Sequence, residues 1–195
     1  GGIPSKLYDC SKYKCVTTEY LNPKIDYGEF LDERDSLVYR TVQIGEQVWM
    51  AQNLDYAMNG SECHKCEKLG RMYAWKDAKE ACPSGWKLPD TSDFAKLKEF
   101  AGKKLEELAE QEQQKISVGQ SLMNGENDFF GFSSLAATGY STGEKWAGGS
   151  RQHYWTGTEV SDREAMTRWL SHSEDLLCVM ALQKTWLTSV RCLKE

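Results

Sequence analysis

The sequence predicts an α+β fold with a mainly antiparallel sheet. Three observations carry that reading: a hairpin pattern from Leu37 to Ala51, two helical stretches in the first half, and four strand-like runs closing the chain. At 195 residues the chain is long enough to bury one sizeable core, and 40% hydrophobic content sets it apart from disordered sequences.

Residues 1–34 are polar, are broken by Pro4, Pro23 and Gly28, and lack a clean period, so they read as an arm clipped by Cys10 and Cys15. One domain is expected over residues 35–195. It opens with Val38, Arg40, Val42 and Ile44 alternating against Tyr39, Thr41 and Gln43, a turn at Gly45-Glu46, and a return from Gln47 to Ala51. Residues 57–69 form a loop carrying Cys63 and Cys66. Met72, Trp75, Ala78 and Cys82 then make the apolar stripe of a short helix over residues 71–81. Pro83 ends that helix, because its ring restricts Cys82 and it donates no backbone hydrogen bond. After a turn at Ser84-Gly85, Trp86 and Leu88 alternate with Lys87 as a half-buried extended segment does.

A second helix begins near Ser92, capped by Asp90 or Thr91, with Asp93 favoured by the helix dipole and Phe94, Leu97, Phe100 and Ala101 facing inward. Residues 103–115 read as a charged helical insertion whose face is solvated or offered to a partner. Asn124 to Asp128 form a polar turn, Phe129 opens a strand region running to Tyr140, and residues 141–151 are a Gly-rich loop around Trp146. Strands are expected over 153–159, 165–171, 176–183 and 189–193, the last after a loop holding Trp186.

A net charge of −5 removes the electrostatic basis for binding nucleic acid or an anionic membrane. No apolar run approaches the roughly 18 residues that a spanning helix needs. No signal peptide is visible, and the Gly1-Gly2 start looks trimmed, so export and a lipid anchor both fit the chain. Seven cysteines include two local pairs, Cys10 with Cys15 and Cys63 with Cys66, which point to disulfides and an oxidising compartment. The rival reading gathers these four around zinc with His64 nearby, although the spacing of the first pair suits a metal knuckle poorly. The odd count leaves one thiol free, and Cys178, within an apolar run, is the natural candidate for a buried, inert one.

Several blocks in order resemble the Fibrobacter succinogenes major paralogous domain, a family of bacterial surface and secreted modules. They are Val38 to Gly45 with Val48 to Leu54, Gly70 to Trp75, Ala81 to Pro89, Gly131 to Leu135, Tyr154 to Glu159, and Ser189 to Cys192. The resemblance implies a C-type lectin-like fold, in which the first helix is tied by a disulfide to the last strand; Cys82 would then pair with Cys192. The Glu-Pro-Asn or Gln-Pro-Asp motif of calcium-dependent lectins is absent, since the four prolines stand at 4, 23, 83 and 89. Asn124, Glu126, Asn127 and Asp128 do cluster oxygen ligands suited to calcium, and also read simply as a solvated turn. The close cysteine pair of the distantly related formylglycine-generating enzymes has no counterpart, because Cys178 and Cys192 are far apart and Cys192 is committed to Cys82.

The expected function is a non-catalytic, secreted or cell-surface module for polysaccharide, of the plant cell-wall adhesion class. Trp146, Tyr154, Trp155 and Trp186 are candidates to stack on sugar rings, with Arg151, His153 and Glu159 supplying directional hydrogen bonds. Trp155 and Trp186 read first as core residues, and Trp146, surrounded by Gly and Lys, is the better exposed candidate. A protein-interaction or structural surface module is the alternative. Catalysis is not indicated, because His64, His153 and His172 lack the spacing of a metal site or a nucleophile triad.

Overall fold

The computed structural model describes residues 2–112, 115–137, 139–147 and 149–195. It is mixed α+β, with two sheets. The elements begin with β1 (Lys14–Cys15), β2 (Gly28–Asp32), β3 (Leu37–Ile44), β4 (Gln47–Met50), β5 (Glu62–Cys63), α1 (Cys66–Leu69), β6 (Arg71–Tyr73) and α2 (Trp75–Ala81). There follow β7 (Trp86–Lys87), α3 (Thr91–Glu112), α4 (Val118–Ser121), β8 (Tyr140–Ser141) and β9 (Trp146–Ala147). The chain closes with β10 (Gln152–Glu159), β11 (Glu164–Leu170), β12 (Cys178–Gln183), β13 (Leu187–Ser189) and β14 (Leu193–Lys194).

The first sheet runs β1-β3-β4-β14-β7 with β2 on β3, and the second runs β12-β11-β10-β13-β6-β5 with the β8–β9 ribbon on β13. The predicted hairpin is β3–β4, and its turn residue Gly45 has φ 65°, where a Cβ would also meet the Phe100 ring at 2.9 Å. The amino-terminal arm is more than a clip. β1 and β2 both pair with β3, so residues 14–15 and 28–32 extend the first sheet.

Four expectations need correction. Residues 71–73 are a strand rather than the first turn of a helix, because Met72 and Tyr73 pair with Ser189 and Thr188 in the middle of the second sheet. Tertiary pairing overrides the helical spacing there. Among the described residues between Phe129 and β8 no strand forms: Gly131 at φ 75° and Ser133 at φ 54° turn the backbone, and the Asp128 carboxylate accepts from the Ser133 N–H at 3.2 Å. The Gly-rich loop contains the short β8–β9 ribbon. The expected closing strand is divided between the sheets, with β13 in one and β14 in the other. Gly102 does not interrupt α3, although residues 113–114 of the expected insertion lie outside the described residues.

Two apolar clusters fill the interior. α3 contributes Phe94 and Leu97 to one, against Trp49, Phe132 and Tyr154, while α2 contributes Trp75 and Ala78 to the other, against Tyr39, Tyr73 and Trp155. Residues 190–192 cross between the sheets under two restraints. Cys192 is bonded to Cys82 just past α2. Arg191 is 1% exposed and makes its bonds to neutral acceptors: Nε and Nη2 to Asn53 Oδ1 at 3.1 and 2.9 Å, and Nη1 to the carbonyls of Met50 at 3.1 Å and Phe132 at 2.6 Å. Its guanidinium also lies 4.5 Å from the centre of the Phe132 ring.

The other bridges are Cys10–Cys15 and Cys63–Cys66, and Cys178 is free. The zinc reading of the four early cysteines is therefore corrected, since their sulfurs are spent on each other. Cys178 is half-buried rather than deep in the core, and burial pushes its thiol up from the ordinary value.

Candidate functional site

Alternation along β10 sends Tyr154 towards α3 and His153 and Trp155 to the opposite face of the second sheet. His153 stands directly across from Trp169 on β11, and their rings stack at 5.9 Å with planes 26° apart. On its other side the His153 ring meets Tyr140 of β8 edge-on at 5.4 Å, and Tyr140 stacks on Trp186 at 5.2 Å with planes 1° apart. The Arg151 guanidinium caps the far end, 4.2 Å from the centre of the Trp169 ring. The result is one ribbon in the order Arg151, Trp169, His153, Tyr140, Trp186. Trp169, Tyr140 and Trp186 are half-buried and Arg151 is exposed, so the ribbon offers ring surface to solvent.

His153 is the exception, at 0% exposure. Burial, reinforced by the positive charge of Arg151, pulls its pKa down to about 4, so the imidazole is neutral at neutral pH. The Thr167 hydroxyl donates to the Met180 carbonyl at 2.7 Å, which leaves its lone pair to accept from His153 Nδ1 at 3.2 Å. That fixes the tautomer with hydrogen on Nδ1. Nε2 is buried without a protein partner. His153 is thus a neutral spacer inside the ring series, and its expected direct contact with ligand is corrected.

Trp146 stands apart. It is 43% exposed and stacks on His64 at 5.1 Å with planes 20° apart. His64 is presented by the loop that the Cys63–Cys66 bridge closes, and its Nε2 lies 3.1 Å from a Glu62 carboxylate oxygen. Glu62, His64, Ser141, Glu144, Lys145 and Trp146 line a shallow cleft of about 340 Å³. Trp146 is the cross-strand partner of Ser141 and so shares its face, whereas the adjacent Tyr140 points the other way. Trp146 and the Tyr140–Trp186 stack therefore lie on opposite sides of the β8–β9 ribbon.

Two further expected ligand residues are placed elsewhere. Tyr154 is 0% exposed, with its hydroxyl 2.7 Å from Ser134 Oγ and accepting from Arg191 Nη2 at 3.2 Å, so it belongs to the core. Glu159, at the far end of β10, is ion-paired with Lys184, which holds its carboxyl below the usual range. Trp155 is also core, its indole N–H donating to the Tyr73 carbonyl at 2.7 Å. Sequence reading passed over Trp169 and Tyr140. Trp169 was the more legible of the two, since it falls in phase with Thr167 on a predicted strand and out of phase with Leu170, which faces the core.

Of the expected calcium cluster, Asp128 is 1% exposed with its carboxylate turned inward to Ser133. Burial raises its pKa to about 6. Among the described residues, the one group of His, Cys, Asp or Glu side chains close enough to share a metal ion is Cys63, Cys66 and Glu67, and its two sulfurs are joined to each other.

Residues 42–194 match the model of the Fibrobacter succinogenes major domain. The chain belongs to that family. The matched span holds the whole ribbon, the Trp146 cleft and both ends of the Cys82–Cys192 bridge, while β1, β2 and the Cys10–Cys15 bridge precede it. No curated protein and no solved structure matches the chain. No helix among the described residues is long and apolar enough to cross a membrane.

Proposed function

We propose that this Fibrobacter succinogenes major domain is a non-catalytic, secreted or cell-surface module that binds a polysaccharide along the Arg151–Trp186 ribbon. The observation that carries the reading is the ring series in which half-buried Trp169, Tyr140 and Trp186 are arrayed about the buried His153, with a guanidinium at one end. Sugar rings lay the C–H groups of one face against aromatic side chains, and we take for each contact the scale of an aromatic pair, about 0.5–1.5 kcal/mol beyond the area buried. The three disulfides support an oxidising compartment and hence export. The proposed architecture is C-type lectin-like, supported by the tie from the end of α2 to the final crossing segment. The inward-turned Asp128 supports recognition that does not depend on calcium.

The test is retention on insoluble cellulose, xylan and mannan and on a glycan array, for the parent and for Trp169→Ala, Trp186→Ala and Trp146→Ala. Losing one ribbon ring should weaken binding about tenfold, from roughly 1.4 kcal/mol, and Trp146→Ala should change it less than threefold. Retention by no polysaccharide, or a loss confined to Trp146→Ala, would sink the ribbon assignment.

A further inference from the structure

On the other face of the second sheet, a groove of about 950 Å³ runs between α3 and β12. β12 pairs only with β11 among the described residues, so its outer edge is a row of backbone groups without a strand partner. Leu176 and Val179 lie along it at 51% and 57% exposure.

Arg168 enters this groove from β11, directly across from Val179. Only 6% of Arg168 is exposed, yet none of the ion pairs among the described residues includes it. Its Nη2 donates to the Leu177 carbonyl at 3.1 Å, its Nη1 reaches the Thr91 carbonyl only at 3.5 Å, and its Nε has no partner. Four other charges line the groove: Lys98, Glu99, Lys103 and Glu106. Glu99 and Lys103 bind each other at 2.9 Å, and Lys98 and Glu106 offset one another in sign, which leaves the Arg168 charge uncompensated. A buried guanidinium without a counter-ion is costly, and a carboxylate satisfies it through two parallel hydrogen bonds.

We infer that the groove captures an extended peptide, which adds a strand to the free edge of β12, lays apolar side chains on Leu176 and Val179, and delivers a carboxylate to Arg168. Strand addition beside a helix suits a peptide because backbone hydrogen bonds supply affinity and side-chain pockets supply selectivity. A sugar polymer fits less well, since the groove lining contains no Trp, Tyr or Phe. The site stands on the opposite sheet face from the ribbon and is independent of it.

The test uses the full chain and fluorescein-labelled hexapeptides of Val, Ile, Leu, Thr and Ser, each made with a free carboxyl terminus and with an amide. Fluorescence polarisation should give at least tenfold tighter binding of the acid. A strand along β12 should also slow maleimide labelling of Cys178, the free thiol on that edge. Arg168→Gln should abolish the preference for the acid. Val179→Glu, at an exposed position, should abolish it too, by placing a carboxylate across from Arg168, without lowering the Tm. Trp169→Ala should leave peptide binding unchanged. Equal affinity for acid and amide, or no binding of either, would overturn the inference. So would binding of polygalacturonate that Val179→Glu removes, which would assign the groove to an acidic polysaccharide.

Discussion

The Cys82–Cys192 bridge spans 110 positions, and its removal by Cys82→Ala with Cys192→Ala is the most informative perturbation of the fold. In the chain-entropy account, closing a loop of that length stabilises the folded state by about 4–5 kcal/mol, because the unfolded chain loses the freedom to separate its ends. The same relation gives about 2 kcal/mol for the Cys10–Cys15 bridge, whose separation is 5. Cys192 is 0% exposed, so replacing it also removes packed sulfur, and the long-bridge variant falls at the upper end of its range. At about 2–4 °C of Tm per kcal/mol for a domain of this size, the expected loss is roughly 10–20 °C. The assay is guanidinium unfolding followed by tryptophan fluorescence, comparing the oxidised parent, the Cys82/Cys192 double variant and a Cys10→Ala, Cys15→Ala control. A long-bridge penalty below about 1.5 kcal/mol, or one equal to the control, would refute the argument that this tie organises the molecule.

Arg191→Met should destabilise by about 3–5 kcal/mol, because Asn53 Oδ1 and the carbonyls of Met50 and Phe132 lose their donor in a dry interior; the same unfolding curves measure it. The His153 pKa is near 4 in the folded state against 6.5 unfolded, so between those values the unfolded chain binds more protons. Its contribution is therefore present above about pH 6.5 and is lost as pH falls towards 4, by up to ~3 kcal/mol. His153→Phe should flatten that part of the acid limb in urea titrations at pH 7, 5.5 and 4, and an unchanged slope would count against a buried neutral imidazole. Asp128 has the opposite sign: its pKa is raised to about 6, so ionisation costs stability as pH rises from 4 to 6. Asp128→Asn should accordingly gain on the parent across that interval, as read from the same titrations.

Much of the architecture could be read from local pattern. The β3–β4 hairpin followed from period-two alternation, three of the late strands from strand-like runs, and Pro83 correctly ended α2. Errors arose where long-range pairing decides the outcome. Met72 fits a helical stripe as well as a strand, and only its partner Ser189, far away in sequence, settles the matter. The same holds for the candidate site. Trp186 and Arg151 were visible as residue types, but Trp169 and Tyr140 join them only when β8, β10 and β11 are brought side by side. Tyr154 and His153 are adjacent on a strand, and which of them faces α3 depends on a register that composition does not encode.

Residues 187–194 supply a strand to each sheet and the thiol that locks α2 in place. Neither sheet can therefore be completed on the ribosome until that stretch has left the exit tunnel. Contacts spanning so much sequence also make for slow closure. Until then β4, β6 and β10 each lack a neighbouring strand, and the Cys82 thiol waits for its partner.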